Sequence, residues 1–136
     1  MLYALSVRQP YASKIVTGVK TIEWRSKAFK YRGPLIICAS KNPRIKTSTG
    51  LYLPPGAAIG IVDVVDCRPM MKEDLQAACS LGYLEYIYGP PTGYAWILEN
   101  PREVQPEPVK GIVAPWPWKG PELIEAPGYH ASIGFV

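Results

Sequence analysis

The sequence predicts an α+β fold: a small, mostly antiparallel β-barrel or curled sheet with two short flanking helices. Three observations point there. Short apolar or alternating runs recur along the chain, separated by Gly and Pro punctuation. Only Pro10–Thr17 and Lys72–Leu81 carry helical spacing. At 136 residues, 48% of them apolar, the chain suits one domain over residues 1–136 with a real core. Many short strands with few helices fit a barrel better than a layered α/β sheet.

The elements follow in order. Leu2–Val7 reads as a strand. Pro10 suits the first position of a helix, where its missing N–H would be unsatisfied anyway. Tyr11 and Ile15, and Ala12 and Val16, are four apart and form adjoining apolar rows, while Gly18 suits the left-handed residue after the helix. Thr21–Arg25 is a second strand. Gly33-Pro34 breaks the chain before the continuous apolar run Leu35–Ala39, a buried strand. Ser40–Pro55 is a long basic loop.

Ala57–Cys67 is a long strand ended by Pro69. Lys72–Leu81 reads as a helix with acids in its first turn and Gly82 as its cap. Tyr83–Tyr88 is aromatic and ambiguous, and Gly89-Pro90-Pro91 is a turn. Tyr94–Leu98 is a strand stopped by Asn100-Pro101, with Tyr94 and Trp96 sharing a core face. Residues 105–128 are rich in Pro and Gly; Trp116 and Trp118 there either stack on bases or plug a barrel end. Tyr129–Val136 is a closing strand.

Charge is unevenly distributed. Residues 1–50 carry ten Lys or Arg and one acid, Glu23, whereas residues 51–136 carry five basic and ten acidic residues. That polarity favours a polyanionic partner over a neutral one. The expected nucleic-acid face is Arg8, Lys14, Lys27, Lys30, Arg32, Arg44 and Lys46. Cys38, Cys67 and Cys79 are odd in number and lack CxxC spacing, which reads as reduced thiols in a cytoplasmic protein. No run is long enough for a membrane span, so no membrane partner is expected. A lone histidine, His130, argues against a zinc site or a Ser-His-Asp triad and reads as structural; no metal or cofactor is expected.

The most unusual segment is Gly18–Arg25. Lys20, Glu23 and Arg25 fall within six residues at the head of a strand, where Ile22 and Trp24 are the residues a strand ordinarily uses. Alternation puts Glu23 and Arg25 on one face and Ile22 and Trp24 on the other. Arg25 suits a bidentate phosphate contact, and Glu23 would accept from a base amino group. Gln9, Ser40 and Lys41 complete the expected ligand-binding set: Gln9 lies just before the first helix, and Ser40 and Lys41 follow a buried strand.

Leu5-Ser6-Val7-Arg8-Gln9-Pro10-Tyr11-Ala12, followed by Gly18-Val19-Lys20-Thr21-Ile22-Glu23-Trp24-Arg25-Ser26, resembles the opening of the ASCH domain. That family is named for its similarity to a domain of a transcriptional coactivator. Gly60–Cys67, Tyr94–Arg102 and Val109-Lys110-Gly111 resemble its later blocks in order and spacing. The resemblance implies a PUA-like barrel, a fold of RNA-binding and RNA-modifying proteins, with a cleft lined by the lysine-to-arginine strand. It implies binding of RNA or single-stranded nucleic acid, with a nucleoside-type small molecule as another possible partner.

One bacterial branch resembles an amidohydrolase of acetylated cytidine that uses lysine, threonine and glutamate, and another is described as a ribonuclease. The alternative function is therefore a metal-independent hydrolase with Lys20 as a partly desolvated base and Glu23 as proton shuttle. Here Glu23 stands where the amidohydrolase branch has its threonine.

Overall fold

A computed structural model of the chain describes residues 2–79, 91–110 and 115–135. Its elements are β1 (Tyr3–Val7), α1 (Tyr11–Val16), β2 (Ile22–Arg25), β3 (Gly33–Ala39), β4 (Ala57–Pro69), a 3₁₀ turn (Lys72–Asp74), β5 (Tyr94–Pro108), β6 (Trp116–Pro117) and α2 (Tyr129–Ser132). The strands form one sheet in the order β2-β5-β4-β3-β1-β6. Every neighbouring pair is antiparallel except β1 and β3, which run parallel from Tyr3↔Leu35 to Val7↔Ala39. This is the expected α+β, mostly antiparallel curled sheet. Among the described residues, no helix is long and apolar enough to cross a membrane.

Alternation sorts the strand residues into two main cores, and Ile22 and Ala95 pack with Met70, Leu75 and Ala78 in a third. Leu5, Leu35, Ile37, Ile59, Val62, Val64, Trp96 and Leu98 pack inward with Ala12, Ile15 and Val16 of α1. Ala4, Ile36, Cys38 and Ala58 face the other way, under Trp116 and Trp118. Because both faces are covered, Leu35–Ala39 is apolar at every position rather than at alternate ones. Both tryptophans thus lie half-buried against the outer face of the sheet. Close packing of α1 depends on Gly60, where an added Cβ would lie 2.3 Å from Val16 Cγ1 and 2.7 Å from the Arg102 carbonyl. Tyr11 departs from its predicted row and is exposed.

The curled sheet brings its β2 flank round to β1. Arg25 Nη2 donates to the Ser6 carbonyl at 3.0 Å. The β2–β3 connection lies along the same seam: Phe29 stacks on Trp96 with centroids 4.7 Å apart and meets Tyr3 edge-on at 5.8 Å. Trp96 Nε1 donates to the Lys27 carbonyl at 3.1 Å.

Three predicted elements are corrected. Asn100-Pro101 does not stop β5. The register with β4 shifts between Ile61 and Asp63, so these two residues form a bulge in which proline's missing donor is tolerated and Asn100 takes φ +52°. Within the described part of the predicted helix Lys72–Leu81, only a 3₁₀ turn and further turns form. Its carbonyls serve β2 instead: Ala77 O accepts from Thr21 N and Ile22 N, and Ala78 O accepts from Lys20 Nζ. The closing strand 129–136 contains α2, which begins after Gly128 at φ +79°, a left-handed conformation that glycine adopts without steric cost. Gly82, Tyr83–Tyr88 and Gly89-Pro90 lie outside the described residues.

Candidate functional site

The site is built where α1 turns into β2. Gly18 takes φ +86° after α1, and Lys20 N donates back to Lys14 O at 2.9 Å. This turn carries the Lys20 side chain inward, to 4% exposure. Its ammonium donates to the Ala78 carbonyl, lies 3.4 Å from Glu23 Oε1, and sits 5.9 Å from the Tyr11 ring centroid. Burial lowers the Lys20 pKa from its ordinary 10.5, with Glu23 and Cys79 opposing the shift.

Glu23 and Arg25 share a face, as strand alternation predicts. Glu23 is 7% exposed. Its Oε2 accepts from Arg25 Nε at 3.1 Å and from Nη2 at 2.8 Å. One carboxylate therefore holds two cations, each of its oxygens facing one. The Arg25 side chain keeps 23% exposure, and its Nη1 has no partner among the described residues. On the opposite face Ile22 is buried, while Trp24 is half-exposed and donates from Nε1 to Thr92 O at 2.7 Å.

Gln9 is buried and fully used. Its Oε1 accepts from Ser13 N at 3.0 Å, and its Nε2 donates to Ser13 Oγ at 2.9 Å and to Pro54 O at 3.1 Å. Ser40 N donates to Val7 O at 2.9 Å, and Lys41 is exposed. Because β1 and β3 are parallel, their carboxyl ends lie together. Arg25 reaches Ser6 there and Ser40 joins Val7 there, so Arg25, Gln9, Ser40 and Lys41 gather at one end of the barrel.

Of the predicted cationic face, Arg8, Lys27, Lys30, Arg44 and Lys46 are exposed and Lys14 is half-buried. Arg32 differs. It lies 3.8 Å from Asp66 Oδ1 and donates to the carbonyls of Phe29 and Tyr31. Arg44 and Lys46 both lie over the Tyr52 ring, at 4.2 and 5.4 Å from its centroid. A hollow of about 460 Å³ lies elsewhere, between α1 and the C-terminal residues, lined by Val16, Thr17, Pro101, Glu125, Ala131 and Phe135 among others; Lys20, Glu23 and Arg25 do not line it.

The fold also assembles a hydrogen-bonded line that the sequence does not announce. His130, fully buried on α2, places Nδ1 2.7 Å from Glu103 Oε1 and Nε2 2.8 Å from Ser13 Oγ. Beside a carboxylate, Nδ1 carries the proton, so Nε2 accepts from the Ser13 hydroxyl. The order resembles a catalytic triad, but Ser13 and His130 are both at 0% exposure, so no substrate reaches them. The line joins α1, β5 and α2 as a structural pin, in keeping with the structural reading of His130.

Comparison with known proteins agrees with this fold. The family model of the ASCH domain matches residues 5–108. The chain is 28% identical over 134 residues to Activating signal cointegrator 1 of Homo sapiens, and 27% identical over 132 residues to the Mus musculus protein of that name. Each match covers 84% of this chain and 22% of the relative, so the chain spans about a fifth of the length of these curated relatives. The crystal structure of ASCH from Zymomonas mobilis superposes with a TM-score of 0.58 at 19% identity, covering 79% of this chain and 73% of that one. A single-substitution variant of that protein gives 0.55 at 17% identity, covering 79% and 75%. At such identities the likeness is one of fold.

Proposed function

The chain belongs to the ASCH domain family, and from that premise we propose that it is a nucleic-acid-binding module taking RNA or another single-stranded nucleic acid. One observation carries the reading. Arg8, Lys14, Lys27, Lys30, Lys41, Arg44 and Lys46 have no carboxylate partner among the described residues. Three acids of the second half pair within that half: Asp63 with Arg102, Asp74 with Arg68, and Glu103 with His130. Among the described residues, only Asp66 reaches across, to Arg32 at 3.8 Å. These unpaired cations are the feature that supports a polyanionic partner.

In this reading the Lys20–Glu23–Arg25 group is an oriented anion contact. Glu23 is already engaged by two cations, so it positions Arg25, whose Nη1 edge meets the phosphate. Exposed Tyr11, with Lys14 Nζ 5.7 Å from its centroid, adds an aromatic surface beside the group. Titration of labelled single-stranded oligonucleotides at rising salt tests this. Log affinity should fall with log salt at about −0.7 per phosphate neutralised. Absence of binding at low salt overturns the proposal.

One observation favours a second reading. Lys20 is desolvated, with a lowered pKa, against a carboxylate that could exchange its proton. That is the arrangement required of a metal-independent hydrolase acting on a modified nucleoside or on RNA. Incubation with acetylated cytidine and with single-stranded RNA, in chelator, tests it. Unchanged substrate, or turnover that survives Lys20→Ala, excludes this group as catalytic.

A further inference from the structure

We propose that the β3–β4 loop carries a second contact for single-stranded nucleic acid, with Tyr52 as a base-stacking platform and Arg44 and Lys46 as its phosphate partners. This rests on the nucleic-acid reading above and assigns it a separate place on the molecule.

The loop has a definite structure. Thr47 N donates to Leu51 O at 2.7 Å, Leu53 N to Ile45 O at 2.8 Å and Gly50 N to Thr47 O at 3.0 Å, making a small hairpin in which Lys46 faces Tyr52. Residues paired in this way put their side chains on one face, which is why the Lys46 ammonium comes to 5.4 Å from the Tyr52 centroid. The Arg44 guanidinium lies closer, at 4.2 Å.

Three further contacts brace the hairpin. Leu53 is buried at its base, Ser48 Oγ donates to Gly134 O at 2.9 Å, and Thr49 Oγ1 donates to Ile133 O at 2.8 Å. Tyr52 nevertheless remains 43% exposed. Its ring is therefore presented by a fixed backbone, which lowers the entropy lost on binding.

Folding alone leaves the charge here unexplained. Two cations sit against one exposed ring, neither has a carboxylate partner among the described residues, and residues 40–55 contain no acid. Like charges held together repel, and a phosphate backbone relieves that repulsion. An exposed aromatic ring beside phosphate-binding cations is the combination that takes an unpaired base together with its backbone.

The test uses the full chain, far-UV circular dichroism to confirm folding, and a single-stranded RNA oligonucleotide carrying 2-aminopurine. Inorganic polyphosphate serves as a base-free competitor. Tyr52→Ala should weaken oligonucleotide binding about 5- to 150-fold and abolish 2-aminopurine quenching, while leaving polyphosphate affinity unchanged. Tyr52→Phe should retain both affinity and quenching. Replacing Arg44 and Lys46 together with Gln should weaken both ligands and flatten the salt slope by up to about 1.4.

Tyr52→Ala that binds and quenches like the wild type overturns the platform while leaving the nucleic-acid reading standing. So does an equal loss toward polyphosphate, which marks a charge-only surface, or an equal loss in Tyr52→Phe, which marks a hydroxyl contact. Wild-type protein that binds no oligonucleotide at low salt overturns both readings together.

Discussion

Glu103→Gln should cost about 3 kcal/mol of folding stability. The Glu103 carboxylate accepts three hydrogen bonds: from His130 N at 2.8 Å, from His130 Nδ1 at 2.7 Å and from Gly128 N at 3.0 Å. A carboxamide has one acceptor oxygen. Placed toward His130, it keeps two bonds but turns its NH₂ against the Gly128 N–H. Placed toward Gly128, it opposes two donors from a fully buried residue, so the first arrangement wins. Two charge-assisted bonds then become neutral ones, each losing about 1 kcal/mol, and the third is replaced by a donor–donor contact worth about another 1 kcal/mol. For a chain of this size that is a fall of about 10 °C in Tm.

Urea unfolding at pH 8, followed by tryptophan fluorescence, measures the loss. A difference under about 0.5 kcal/mol refutes the account of the pin. The lone histidine supplies a second readout, since a single imidazole is visible by NMR. Burial lowers its pKa below the ordinary 6.5, and Glu103 opposes that shift. The unfolded chain therefore takes up the proton first as pH falls. Stability is full above about 6.5 and declines below it toward the lower folded value. Removing the Glu103 charge should move the imidazole midpoint further down, and an upward movement contradicts the argument.

Other expectations follow from the same packing. Gly60→Ala should cost about 3 kcal/mol by denaturant titration, because its Cβ meets Val16 and the Arg102 carbonyl at less than van der Waals distance; an effect under about 1 kcal/mol contradicts the close approach of α1. Burial pushes the Cys38 thiol up to about 12, so at pH 8 a maleimide should modify half-buried Cys67 and Cys79 in the native protein and reach Cys38 only on unfolding, as read by peptide mass spectrometry. The Arg68 hydrogen bonds hold the Asp74 carboxyl below its ordinary 3.8, so the pair stabilises above that value and loses its contribution as pH falls through the lower folded one. The stability gap between wild type and Asp74→Asn should therefore narrow from pH 7 to pH 3, and a constant gap contradicts it.

What was legible in the sequence was what local periodicity encodes. Tyr3–Val7, Leu35–Ala39 and most of Ala57–Pro69 follow from apolar runs, and α1 from two apolar rows ended by a glycine, whereas Gly33 and Pro34, read as a break, open β3 by pairing with Val64 and Asp63. Alternation alone placed Glu23 and Arg25 together. Where distant partners decide, local signals misled. Ala77 and Ala78 suit a helix until β2 claims their carbonyls. The apolar end of the chain suits a strand until His130 finds Ser13, 117 residues away, and Glu103, 27 away. Lys20 was legible as a charge near a turn, but its burial against Ala78 was not. Tyr52 offered a readable signal, an aromatic residue inside a basic loop, whose meaning depended on the hairpin that sets Arg44 and Lys46 over its ring.

The Lys20–Glu23–Arg25 group does two things with different energetic consequences. Arg25 closes the seam between β2 and β1 by its bond to Ser6 O, and Glu23 fixes the guanidinium for that purpose. Lys20 is not needed for this closure. Its ammonium is desolvated, and its attraction to Glu23 leaves the pKa still lowered, so desolvation outweighs the pairing. An apolar side chain of similar length would avoid that cost. The result is one carboxylate between two cations, a net positive charge held partly out of water, with the Nη1 edge of Arg25 left over. On the nucleic-acid reading proposed above, an incoming phosphate would supply the negative charge that this group lacks. Stability explains Arg25 and Glu23, and the bond to Ala78 O gives Lys20 a structural role too, tying the head of β2 to residues 77–79; on the nucleic-acid reading, the part of the group left for a ligand is the Nη1 edge of Arg25.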